Sequence, residues 1–157
     1  MATKTSSEVR TETGTIDWKI GAVGGIAGAL VMGALMLFMD EAVIAVAIPS
    51  LYSLAPPASI PVGMGVHLFH GAVLGVIFAG IVRTAGVESP TTITGLGIGW
   101  GVVTWVVLAA LLMPVWLSTV GSPASPPFPN FAVPSLLWHA VYGLVLGGVY
   151  AGLESRS

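Results

Sequence analysis

Val62-Gly-Met-Gly-Val-His67-Leu-Phe-His70-Gly71-Ala-Val-Leu-Gly75-Val-Ile-Phe-Ala-Gly80-Ile-Val82 contains no acidic residue, no lysine and no arginine. At about 1.5 Å rise per residue, a helix of this length reaches across a hydrocarbon core roughly 30 Å thick. Small residues recur every fourth position from His67, at Gly71, Gly75 and Ala79. Such a face lets helix backbones approach closely, the main route to association where lipid removes the hydrophobic force between helices. The stretch therefore reads as a transmembrane helix.

Three further stretches have the same character. The first runs from Ile20 to Met39 and continues to Ile48 past the acidic pair Asp40 and Glu41; the others cover Thr92–Leu117 and Ser135–Leu153. Across the 157 residues 55% are hydrophobic and 8% charged, against about 25% charged in a soluble domain. Too little charge is present to cover a soluble fold, and the mean hydropathy of +0.94 agrees. The first apolar segment follows a polar stretch, Met1 to Asp17, and exceeds a signal-peptide core in length, so it is expected to remain in the mature protein.

An internal repeat organises the chain. At an offset of 72 residues, His67-Leu-Phe-His70-Gly71-Ala-Val-Leu-Gly75-Val-Ile-Phe-Ala-Gly80 aligns with His139-Ala-Val-Tyr142-Gly143-Leu-Val-Leu-Gly147-Gly-Val-Tyr-Ala-Gly152, and Gly25-Ile26 aligns with Gly97-Ile98. The expected fold is an all-α membrane protein of four transmembrane helices, built as two tandem two-helix hairpins. A unit with an even number of spans keeps its orientation when repeated, so the hairpins are expected to be related by a pseudo-two-fold along the membrane normal. The divisions are a disordered cytoplasmic tail over 1–17, a first hairpin over 18–84 with helices at about 20–48 and 62–82, and a second over 92–153 with helices at about 92–117 and 135–153.

All five basic residues, Lys4, Arg10, Lys19, Arg83 and Arg156, fall on one side of this arrangement. Basic residues of short loops stay in the cytoplasm, which predicts both termini inside a cell membrane and the proline-rich loops 48–61 and 118–134 outside. Proline fixes φ and ends helices, so these loops read as ordered caps or short re-entrant turns, and Pro114 reads as a kink or end of the third helix. Trp100, Trp105, Trp116 and Trp138 read as lipid-facing or interfacial anchors, and Met32, Met36 and Met39 as packing.

Absent cysteines exclude disulfides and thiol chemistry, and the glycine runs lack the Lys-Ser/Thr ending of a phosphate-binding loop. A net charge of −2 offers no basic patch for nucleic acid. What polar chemistry the spans hold gathers near their outer ends: His67, His70, His139, Asp40 and Glu41. An ionisable residue inside a span is a candidate functional site by default. One reading has the imidazoles bonding to Asp40, Glu41, Tyr142 or a carbonyl of the opposite hairpin. A second is haem ligation by His67 and His139 at equal depth; against it, the glycine ladders suggest contact between the second and fourth helices, where a macrocycle needs space. A third is a transition-metal site of His67, His70, His139 and Glu41 or Asp40, a nitrogen and oxygen set that suits zinc, copper or iron. A fourth is a proton or small-ion path, for which the inner halves supply little beyond Thr104.

Gly65-Val-His67-Leu-Phe-His70-Gly71-Ala-Val-Leu-Gly75, with the preceding Ala47-Ile-Pro49-Ser-Leu-Tyr52, resembles a group of small four-span haloarchaeal membrane proteins of unknown function. The resemblance covers nearly everything after the tail and implies a fold and a location, but no activity. Some relatives carry the label histidine kinase, which this sequence does not support: it has no soluble ATP-binding domain and no Asn- or Gly-box. The expected function is that of a structural or accessory multi-pass membrane subunit, not an enzyme, with the lipid bilayer and further copies or subunits as partners. Haem or metal electron transfer and a conducting oligomer are the alternatives.

Overall fold

The computed structural model describes residues 18–155; the tail 1–17 and Arg156 lie outside them. Every regular element among the described residues is helical: α1 (Trp18–Met39), α2 (Ile48–Ser50), α3 (Ile60–Ala85), α4 (Pro90–Thr104), α5 (Met113–Thr119) and α6 (Val133–Glu154). A π-helical turn, Val43–Ala47, leads into α2, and a second, Trp105–Leu112, joins α4 to α5. Four helices are long and apolar enough to cross a membrane: Trp18–Met39, Ile60–Ala85, the continuous Pro90–Thr119, and Val133–Glu154.

Local chemistry sets these ends. The Ser59 hydroxyl accepts from the Val62 amide at the start of α3, where Pro61 occupies a first-turn position that has no helical acceptor for an N–H anyway. Gly86 closes α3 at φ 63°, in the left-handed region that costs glycine no Cβ clash. The helix expected over about 20–48 is two pieces: α1 stops at Met39, helical structure is interrupted at Asp40, and the π turn with α2 buries Ile44, Ala45, Ala47, Ile48, Pro49 and Ser50 across the first turn of α3.

Both π turns stand ahead of a proline. Pro49 and Pro114 have no N–H to offer the carbonyls of Ala45 and Ala110, four residues earlier. The proline-rich loops fill both vacancies: the Ser59 amide donates to Ala45 at 2.8 Å and the Asn130 amide to Ala110 at 2.9 Å. Pro114 therefore does not end its helix, which passes through the π turn and continues to Thr119.

The helices follow one another around the body as α3, α1, α6, α4. α1 lies on α3 through Gly21 and Gly25 against Gly71 and Gly75, and α4 lies on α6 through Gly97 and Gly101 against Gly143 and Gly147. The glycine ladders of α3 and α6 thus face their own hairpin partners, not each other, which corrects the expectation drawn from the sequence: a small-residue stripe specifies close approach without naming the neighbour. The hairpins dock through α1 and α6, with Gly24 and Gly28 beneath Leu146 and Tyr142. A two-fold exchange of hairpins would turn that seam into an equally extensive one between α4 and α3, yet the latter pair touches only sparsely. The fourth edge of the body is open.

Candidate functional site

A cavity of about 470 Å³ occupies the open edge. α3 supplies His67, His70 and Leu74, α1 supplies Met32 and Met36, the helix from Thr104 to Trp116 forms the opposite wall, and α6 contributes Ser135, Trp138, His139 and Tyr142. Its volume falls in the ligand-pocket range, and its lining has the usual character of such sites, apolar with a few polar groups. Phe69 and Val73 on one side, Leu112 and Trp116 on the other, line the cavity while remaining exposed at 60%, 42%, 54% and 49%. They form a mouth on the lateral surface of the helices. The roof is the segment through Val43, Ile48 and Leu51, tied to α5 and its following turn by the Trp116 indole N–H donating to the Leu51 carbonyl at 3.0 Å and by a Ser122 to Ser50 hydroxyl bond at 2.9 Å.

Helix carbonyls have no hydrogen to give, so their partners must donate. The Nε2–H of buried His67 donates to Ala29 at 3.0 Å, and the Nδ1–H of His139 to Ser135 at 2.7 Å. With one N–H committed, each neutral ring keeps a lone pair on its second nitrogen. The Tyr142 hydroxyl donates to Gly71 at 3.0 Å and the Thr104 hydroxyl to Gly101 at 2.9 Å. His70 Nε2 pairs with the Tyr52 hydroxyl at 2.7 Å in an exposed position.

Of the residues singled out in the sequence, His67, His70 and His139 line one cavity. Asp40 and Glu41 do not join them. Both are exposed; Asp40 lines a different cavity of about 540 Å³, between the end of α1 and the loop carrying Asn130, and Glu41 lines neither. Among the described residues no group of three or more histidines, aspartates or glutamates is arranged to hold a metal ion. The five-residue metal set is therefore not assembled, because both carboxylates lie exposed where α1 is interrupted while His67 and His139 are anchored inside. The imidazoles also bond within their own hairpins; Tyr142, aligned with His70 in the repeat, crosses between hairpins, as do Trp116, Ser122 and Trp138. Ser135 and the roof segment were not marked as site residues by the sequence: a lone serine near a span end carries no distinguishing pattern, and the roof depends on where α1 breaks.

The indole N–H groups of Trp100 and Trp105 are buried without a partner, and the Trp105 ring meets Phe131 edge-on at 5.6 Å. Comparison with curated proteins and with solved structures yields no match. A family described as a family of unknown function (DUF6789) matches residues 16–157, and the chain belongs to that family.

Proposed function

We propose that this chain is a non-catalytic, multi-pass subunit of a cell membrane with both termini in the cytoplasm, built from two copies of one hairpin. Equivalent backbone contacts, Gly25 on Gly71 and Gly97 on Gly143, support the repeat, since they coincide at the 72-residue offset of the sequence alignment. The observation that carries the structural role is the Tyr142 hydroxyl bond to Gly71, which spends a buried polar group on joining the hairpins.

Tyr142→Phe removes that hydroxyl and nothing else. The expected loss is about 1 kcal/mol, within the range of interhelical bonds in membranes, and a fall of a few degrees in the thermal midpoint in detergent. An unchanged midpoint would remove the locking role. Orientation is checked by membrane-impermeant labelling of single cysteines: Ser122→Cys is expected to react from outside intact cells and Ser157→Cys only after lysis.

One observation favours haem binding as a second reading. His67 and His139 line the same cavity and each donates one ring N–H to a backbone carbonyl, the outer-shell arrangement that orients metal-ligating histidines. The glycine ladders, packed elsewhere, do not oppose it. A dithionite-reduced minus air-oxidised spectrum of protein from its native host separates the readings: the structural role predicts a flat trace, haem ligation sharp bands abolished by His139→Ala.

A further inference from the structure

The polar groups of the cavity share a bias. His67, Thr104, His139 and Tyr142 all line it, and each has committed a hydrogen to a helix carbonyl. What these four have left to offer is lone pairs: a second ring nitrogen on each histidine and the oxygens of Thr104 and Tyr142. His70 is engaged by Tyr52, and Ser135 has a hydroxyl free to rotate. Around this acceptor-rich floor the walls are Leu, Met, Val and Trp, and the mouth opens sideways between α3 and the π turn leading into α5.

We infer that the cavity is a binding site for a membrane-soluble molecule with a hydroxyl head, an alcohol or phenol on an apolar body, whose O–H donates to the His67, His139, Thr104 or Tyr142 acceptors while its body lies among the apolar walls and trails through the lateral mouth into lipid. A ligand bearing only carbonyl or ether oxygens would find a donor in Ser135 alone and would set acceptor against acceptor at His67, Thr104, His139 and Tyr142, leaving buried groups unpaired at a cost. A bare metal ion is disfavoured because no ligand cluster assembles among the described residues. The inference rests on the reading that the four helices lie in a bilayer.

The test uses the full chain in phosphatidylcholine vesicles with two photoactivatable probes, a diazirine-bearing hexadecanol and its methyl ether, in which a methyl group replaces the donor hydrogen. The alcohol is expected to label cavity peptides of α3 and of the helix from Thr104 to Trp116 about fivefold more than the ether, the advantage of about one net hydrogen bond. Two variants test the location. Ala109→Phe fills the cavity from its wall, and Leu112→Trp, at an exposed rim position, narrows the mouth without touching the interior. Each is expected to bring alcohol labelling down to the ether level. Equal labelling by the two probes, labelling that survives Leu112→Trp, or haem bands in protein from the native host would overturn the assignment. Vesicle flotation separates the two layers of the argument: protein that fails to float defeats the membrane reading and the site with it, whereas protein that floats and does not discriminate the probes defeats the site alone.

Discussion

Gly25→Ala is expected to lower the thermal midpoint of the detergent-solubilised protein by about 10 °C or more, or to prevent its accumulation altogether. A Cβ built on Gly25 falls on the carbonyl oxygen of Gly71 and 3.0 Å from the Cα of Gly75. Both obstacles are backbone, so no rotamer change relieves them and α1 must move off α3. Overpacking costs about 1–3 kcal/mol where side chains can shift, and a clash with backbone belongs at or above the upper end. For a chain of this size that corresponds to roughly 10 °C. Gly143→Ala, whose methyl would fall on the Gly97 carbonyl, is expected to match it. Gly80→Ala and Gly148→Ala meet nothing within 4 Å and serve as controls with unchanged midpoints. Fluorescence-detected size exclusion after graded heating reads all four; a wild-type midpoint for Gly25→Ala would refute the close approach of α1 and α3.

Phe78→Ala is expected to cost about 2–3 kcal/mol, less than the 3–5 kcal/mol of the same change in a water-soluble core. The difference has a physical origin. Phe78 is fully buried and meets the edge of Tyr150 at 5.8 Å and 87°, joining α3 to α6. In water its removal loses both transfer free energy and packing; in a membrane the unpacked ring would sit in lipid as apolar as the core, so mainly the packing loss remains. Ile77→Ala, one position away on the exposed face, is expected to be near neutral. A thermal-melt comparison of the two variants decides it: equal effects would mean that shape complementarity in the interior does not hold the helices together.

The existence and approximate extent of the spans were legible because nothing but lipid suits four uncharged stretches of such length. The faces of the helices were legible too, since Gly71, Gly75, Gly143 and Gly147 do carry close contacts. Their partners were not, because a small-residue stripe has no chemical complement that would identify a neighbour. Asp40 and Glu41 illustrate a second limit. Their depth along the chain suggested company with the histidines, yet the helix breaks immediately after Met39 and leaves both exposed, while the segment that follows packs Ile44 and Pro49 against Gly63 of α3. The candidate site was legible as a list containing His67, His70 and His139. Its cavity was not, since it exists only because one edge of the helix body stays open.

The two loop amides that reach back to Ala45 and Ala110 divide each proline-rich loop into parts with different freedom to change. Ser59 and Asn130 contribute a main-chain N–H, which every residue except proline possesses, so this bond fixes the position of each residue and asks nothing of its side chain; at Ser59 it is the helix cap on Val62 that still calls for a hydroxyl. Beyond the residues that build the roof, Ser50, Leu51 and Tyr52 in one loop and Trp116 and Ser122 in the other, the chain leading to each donor has fewer ties, and lengthening a loop costs little once its ends are anchored. Divergence among related chains is therefore expected as insertions and deletions within these intervals, with proline excluded from the two donor positions.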